Sequence, residues 1–212
     1  LVGVGRIFWS FEAGRKMQRF LETEKPDVVH IHNIYHQLSF SILKAAQKAG
    51  VPVVMTVHDY AAISPDKDAY YPEVGGAYWK FLRIPKYSFS KRVLLVLRAY
   101  WEHFLGGYQH YVSIFLVPSQ VVADAFVAAG IPPEKLVLLP HFYQAPVIEG
   151  ATALDLPQNT PERYFLALTG ASAEKGTPWL EEACVALGAP LVICGSAEPG
   201  YSKKQQKGTA GV

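Results

Sequence analysis

Pro26-Asp27-Val28-Val29-His30-Ile31-His32-Asn33 and Val51-Pro52-Val53-Val54-Met55-Thr56-Val57-His58-Asp59 decide the fold of this chain. Both are short β-branched runs beside a proline, and β-branched side chains suit the packed, pleated surface of a strand. Between them Leu38, Ile42, Ala45, Ala46 and Ala49 recur at helical spacing, and Gly50 is placed to cap that helix. Strand, helix and strand therefore fit within residues 27–58, as a βαβ unit with parallel strands. The second run is nearly continuous in apolar residues, which predicts a strand buried on both faces.

The same alternation extends outward. Upstream, Ala13, Met17, Phe20, Leu21 and Glu24 follow a helical period that Pro26 stops. Downstream, residues 112–117 read as a strand, and Ser119 is the N-cap of a helix through Val121, Val122, Ala125, Phe126 and Ala129, closed by Gly130. Residues 136–139 form another strand, stopped by Pro140. The stretch from about 141 to 162, with Pro146, Gly150, Pro157 and Pro161, reads as a linker. A strand over 164–168, a helix over 179–187 and a strand over 191–194 then make one more βαβ unit and no more. The expected class is α/β with two parallel-sheet domains. They are 1–145, carrying a basic aromatic insertion near 61–105, and an incomplete 163–212, joined by the linker 146–162. Residue 1 is Leu and residues 202–208 lack apolar periodicity, so the sequence reads as a segment of something longer.

Composition narrows the function. Of 212 residues half are hydrophobic and 18% charged, enough to bury a core. Twenty basic against eighteen acidic residues leave a net charge of +2, which argues against a nucleic-acid partner gripped by overall basic charge. Two cysteines, Cys184 and Cys194, cannot form a metal quartet and read as small buried hydrophobes in a reducing compartment. No apolar run approaches the ~18 residues of a membrane span, and the N-terminus shows no leader pattern. A cytoplasmic location is expected. Within residues 79–101, Lys80, Arg83, Lys86, Lys91, Arg92 and Arg98 interleave with aromatic and aliphatic residues and no acid, a pattern suited to peripheral contact with anionic lipid.

Ligands of open parallel sheets bind beyond the carboxyl ends of the strands. The ends here read His32-Asn33, His58-Asp59, Pro118-Ser119 and Thr169-Gly170. His58 is the leading candidate, because it follows the apolar Met55 and Val57 to the rim, where an imidazole can polarise a hydroxyl or move a proton. His30, on the face opposite Ile31, reads as structural. Ser172-Ala173-Glu174-Lys175-Gly176 opens a helix after a strand, and the amides of such a turn together with the Lys175 charge favour a phosphate. Gly3-Val4-Gly5 begins like a dinucleotide fingerprint, but Phe8 takes the place of its third glycine.

Taken in order, 26–33, 51–60, Val117-Pro118-Ser119, Gly130 to Leu136, Leu139-Pro140 and Glu174-Lys175-Gly176 resemble family-4-type glycosyltransferases of the GT-B fold over roughly residues 16–197. The resemblance implies two Rossmann-like domains, the first for the acceptor and the second for a nucleotide-diphosphate sugar. It implies transfer to a saccharide or lipid-linked acceptor at the inner membrane face, with retention of configuration and with neither a cofactor nor a metal. It puts His58 beside the transferred sugar, as the catalytic group, and Lys175 on the donor's diphosphate; the strand ends add His32, Asn33, Asp59 and Ser119 as expected substrate contacts, and Gly170 and Gly176 as expected phosphate contacts beside Lys175. The sequence departs from the family where Thr169-Gly170 replaces a Gly-Arg pair, which removes a bidentate phosphate contact. A sugar-nucleotide epimerase of the same fold, or a non-catalytic membrane- or complex-binding remnant, are the rival expectations.

Overall fold

The computed structural model describes residues 2–35, 38–142, 161–168, 175–194 and 209–211. The chain divides into two compact units, Leu1–Gln144 and Ala145–Val212.

The first unit is built on a four-stranded parallel sheet in the order β1 (Val29–Ile31), β2 (Val53–Thr56), β3 (Ile114–Val117) and β4 (Leu136–Leu138). Its helices are α1 (Val2–Phe8), α2 (Phe11–Glu24), α3 (Ser41–Lys48), α4 (Phe89–Phe104), α5 (Gly107–Tyr111) and α6 (Gln120–Ala128). Ser10 caps α2 by accepting a hydrogen bond from the Ala13 amide, and Ser119 caps α6 by accepting from Val122. The strands are shorter than the apolar runs that announce them, and α3 starts at Ser41 rather than near Leu38. α1 has no counterpart in the sequence reading, since Gly3 and Gly5 are poor helix formers.

Register divides the sheet into two unlike faces. Ile31 lies opposite Met55, and Met55 opposite Phe115, so these three share one face. Met55 and Phe115 are fully buried there with Phe126 of α6. The other face carries Val54, Thr56, Ile114 and Leu116, all half-buried, and the exposed His30. β2 is therefore covered on one face only, contrary to the expectation from its apolar run. An apolar face reports what would tolerate burial, and Val54, Ile114 and Leu116 are apolar without being fully covered.

Between β2 and β3 the insertion forms a second, smaller core of Val74, Phe81 and Val96. Its anchor is Asp66, whose carboxylate is buried. One oxygen accepts from the Tyr87 hydroxyl at 2.9 Å and the Asp68 amide at 3.1 Å. The other accepts from Lys86 Nζ and the Tyr71 hydroxyl, both at 3.0 Å. The basic segment 79–101 is not one solvated band. A 3-10 helix over Tyr78–Arg83 is followed by a turn and then α4. Arg98 is buried and donates to the carbonyls of Ser64 and Pro65, Arg92 donates to those of Leu82 and Ile84, and Lys86 serves Asp66. Lys80 donates to the Glu73 carbonyl at 3.0 Å, so four of the six cations hold the insertion together. Along α4, Phe89, Leu97, Trp101 and Phe104 are exposed. No helix among the described residues is long and apolar enough to cross a membrane.

The second unit has three parallel strands in the order β5 (Phe165–Leu168), β6 (Leu191–Cys194) and β7 (Thr209–Gly211), with α7 (Thr177–Ala186) between the first two. β7 goes beyond the single βαβ unit that the sequence suggests, because Thr-Ala-Gly carries little strand signal. Cys184 is buried in α7, as expected of a small apolar side chain. The Cys194 side chain lies outside the described residues.

Candidate active site

At the carboxyl end of the first sheet the two-residue period of the strands lines up a row of imidazoles. His30 is opposite Val54, so His30 and His32 share a face with Thr56 and His58. Leu116 is opposite both Thr56 and Val137, which carries the same parity through Leu139 to His141. The structure realises this alignment as contacts. His30 Nε2 and Thr56 Oγ1 are 2.8 Å apart, and the His32 ring is 4.7 Å from that of His30. His32 Nδ1 and His58 Nε2 share a hydrogen bond at 2.8 Å, with their rings stacked at 5.1 Å. On its other side His58 stacks on His141 at 5.5 Å, only 14° from parallel.

Position and charge state of His58 follow from its neighbours. The Val57 amide extends the ladder by donating to Leu116 O at 2.9 Å, and Val57 is buried, so His58 emerges where pairing stops. Asp59 fixes the next turn by accepting from the Ala61 amide at 2.9 Å. Partial burial and then the proximity of His32 and His141 push the His58 imidazole below its ordinary range, while Asp59 pulls the other way. The shared contact has the same consequence. One nitrogen must accept while the other donates, so two imidazolium rings cannot make it. A neutral His58 at the rim can accept a proton or polarise a hydroxyl.

The other residues singled out by sequence fall into three groups. Asn33 is exposed immediately after His32. Ser119 stands at the end of β3 with its hydroxyl oxygen already accepting from Val122, which leaves its own proton to donate. Lys175 is exposed in the second unit, and Gly176 is the N-cap of α7 with φ of +74°, a conformation that favours glycine. Gly170 lies outside the described residues. Among the described residues no group of three His, Cys, Asp or Glu side chains is placed to hold a metal ion.

Sequence reasoning missed His141, because Pro140 and the residues that follow read as linker. The parity of Val137, Leu139 and His141 was the available signal. It also missed Arg98 and Glu102, a buried pair on α4 with Nε and Oε1 3.7 Å apart. Burial pushes the Glu102 carboxyl up to about 7, against the lowering effect of Arg98. Nothing in a run of basic residues distinguishes Arg98 from its exposed neighbours.

No curated protein matches the chain. Among solved structures, UDP-N-acetylglucosamine 2-epimerase from Rickettsia bellii is similar at 14% identity with a TM-score of 0.43, over 94% of this chain and 49% of that one. The chain thus spans about half the length of that structure. The sequence pattern of Glycosyltransferase Family 4 matches residues 2–144, which takes in all four strands of the first sheet and every histidine of the row. By that match the chain belongs to Glycosyltransferase Family 4.

Proposed function

We propose that the protein containing this chain transfers a sugar from a nucleotide-diphosphate donor to a saccharide or lipid-linked acceptor, with His58 as the catalytic group. The observation that carries this reading is the His58 ring, braced between His32 and His141 at the strand ends of the family domain. In the transfer the bond from the anomeric carbon to the diphosphate oxygen breaks and a bond to the acceptor oxygen forms. The acceptor hydroxyl loses its proton, and His58 polarises that hydroxyl or takes the proton. The anomeric configuration is retained and no metal is required, because protein groups offset the charge of the leaving diphosphate. His32, Asn33, Asp59 and Ser119 bind substrate beside His58. Gly170, Lys175 and Gly176 hold the donor's phosphates, with Lys175 supplying a full positive charge before the N-terminus of α7.

Residues 1–145 form the acceptor domain, 146–162 the linker and 163–212 the start of the donor domain. The acceptor domain rests on the inner face of an anionic membrane through the exposed Trp79, Phe89, Leu97 and Phe104, with Arg83 and Lys91 beside them. That placement suits a lipid-linked acceptor.

Calorimetry with sugar nucleotides and product analysis test the reading on the protein that includes this chain and whatever flanks it. A donor should bind, and product should form only when an acceptor is present. Release of an altered sugar nucleotide from donor alone would make the protein an epimerase, and failure to bind any sugar nucleotide would remove the transferase reading. His58→Ala should lower turnover by ~10²–10⁴ with donor binding intact. Unchanged turnover would take His58 out of the mechanism.

A further inference from the structure

His32 and His58 meet in a way that decides which nitrogen does what. Their rings are within 23° of parallel with centroids 5.1 Å apart, and His32 Nδ1 lies 2.8 Å from His58 Nε2. For nitrogens that close, this centroid separation is about as large as two five-membered rings allow. Both nitrogens therefore lie on the line joining the rings, and the N–H of one points at the lone pair of the other. The near-parallel imidazoles meet at their nitrogen edges, and His58 Nδ1 is carried to the far side of its ring.

The rest of the row holds this pair in place. On the β1 side the His30 ring lies 4.7 Å from that of His32, and His30 Nε2 is 2.8 Å from Thr56 Oγ1. On the β4 side His141 packs against His58 at 5.5 Å and 14°. The ionisable groups facing His58 are His32, His141 and Asp59. Asp59 is engaged by the Ala61 amide, and among the described residues the hydrogen-bond partner of His58 is His32.

A hydrogen bond between two neutral imidazoles has two forms. His32 can donate from Nδ1, which leaves the His58 proton on Nδ1. Or it can accept there, which puts the His58 proton on Nε2 and a lone pair on Nδ1. Only the second form lets His58 receive a proton without breaking the contact. As Nδ1 is protonated, the Nε2–H still donates to the same lone pair of His32, now as a charge-assisted bond. A base oriented by a third group in this way is a recurring catalytic arrangement.

We propose that His32 is the positioning residue of the transfer: its Nδ1 accepts from His58 Nε2–H, which makes His58 Nδ1 the atom that receives the acceptor's proton. The inference rests on the transferase reading for the step and on the histidine pair for the atom. As the acceptor oxygen bonds to the anomeric carbon, its proton passes to His58 Nδ1, and the electron pair of the breaking C–O bond leaves with the diphosphate. His32 keeps its own proton on Nε2 and stays neutral throughout.

The test has a spectroscopic arm and a kinetic arm, both on the protein that includes this chain and whatever flanks it. NMR with isotope-labelled histidine nitrogens should show coupling between His32 Nδ1 and His58 Nε2 across the hydrogen bond, with the bridging proton attached to His58 Nε2. Kinetics are read as kcat at saturating substrate, which separates this role from any contact of His32 with substrate. His32→Phe should lower kcat by about 10²-fold, because a ring remains while the nitrogen that orients His58 is gone. His32→Asn, whose Oδ1 can accept where Nδ1 did, should recover at least ~10-fold of that loss. A bridging proton on His32 Nδ1, or no coupling between the two rings, overturns the proposal without any variant. So does His32→Phe at the wild-type kcat, or His32→Asn no faster than His32→Phe, and in either case the transferase reading stands. If the wild-type protein turns over no sugar nucleotide, that reading itself fails and the step assigned to His58 Nδ1 falls with it.

Discussion

Asp66 and Glu102 are both buried acids of the insertion, and they are built in opposite ways. Asp66 receives four donors, two hydroxyls, an ammonium and an amide, all between 2.9 and 3.1 Å. Glu102 faces one guanidinium at 3.7 Å, a distance too long for a hydrogen bond. A saturated carboxylate behaves as a structural rivet, since every lone pair it brought into the interior has been matched. A carboxyl group without such donors carries a desolvation cost, which raises its affinity for a proton. The contrast separates a charged group that holds the insertion together from a carboxyl group whose proton the insertion retains.

Four substitutions break or sharpen that contrast. The largest effect is expected for Asp66→Ala, which takes the buried acceptor from Tyr71 and leaves Lys86 and Tyr87 their weaker contacts with Asp68, and it should cost about 3–5 kcal/mol in urea unfolding. A loss under about 1 kcal/mol would mean that the rivet is dispensable. Next comes the pH dependence removed by Glu102→Gln. The folded carboxyl keeps its proton up to about pH 7, whereas the ordinary value is 4.5. Between those limits the unfolded chain releases a proton that the folded chain retains, so stability falls as pH rises. At about 1.4 kcal/mol per pH unit the wild type should lose about 3 kcal/mol across that window relative to Glu102→Gln. Parallel stability curves for the two proteins would show that Glu102 is solvated after all.

Tyr87→Phe removes one donor from Asp66, together with its contact to Asp68, and leaves the other three donors of Asp66 in place. A loss of about 1–2 kcal/mol is expected by chemical denaturation. The smallest effect belongs to Lys67→Ala, whose ion pair with Asp68 lies at the surface with the ammonium more than half exposed. Its removal should change stability by under about 1 kcal/mol and less still at high salt. A cost near that of Tyr87→Phe would extend the rivet outward to Asp68.

The parts of this architecture legible in sequence are those where local pattern and long-range packing agree. Pro26 and Pro52 frame β-branched runs, and Gly50 and Gly130 close helices, so the parallel strands could be read directly. β7 and α1 could not be, because Thr-Ala-Gly and a helix with two glycines run against propensity. At the site, His58 and His32 stood out as strand-end residues, whereas His141 was lost behind Pro140 in a stretch that reads as linker. Its partner lies more than eighty residues earlier in the chain, and only the sheet brings the rings together. Arg98 and Glu102 were hidden for a different reason. Charge patterning assigns a basic run to the surface, and which of several arginines turns inward depends on carbonyls from residues 64 and 65.

The row of imidazoles also makes the spacing of these strands a matter of parity. Deleting one residue between Val53 and His58 would send His58 to the face of Met55 and Phe115, and the 2.8 Å contact with His32 would vanish although every histidine remained in the sequence. Deleting two would restore the face and shift the ring back by one repeat. Length variants of this short segment should therefore alternate between lost and partly kept alignment. Related chains would then be expected to tolerate changes of residue here more readily than changes of odd length.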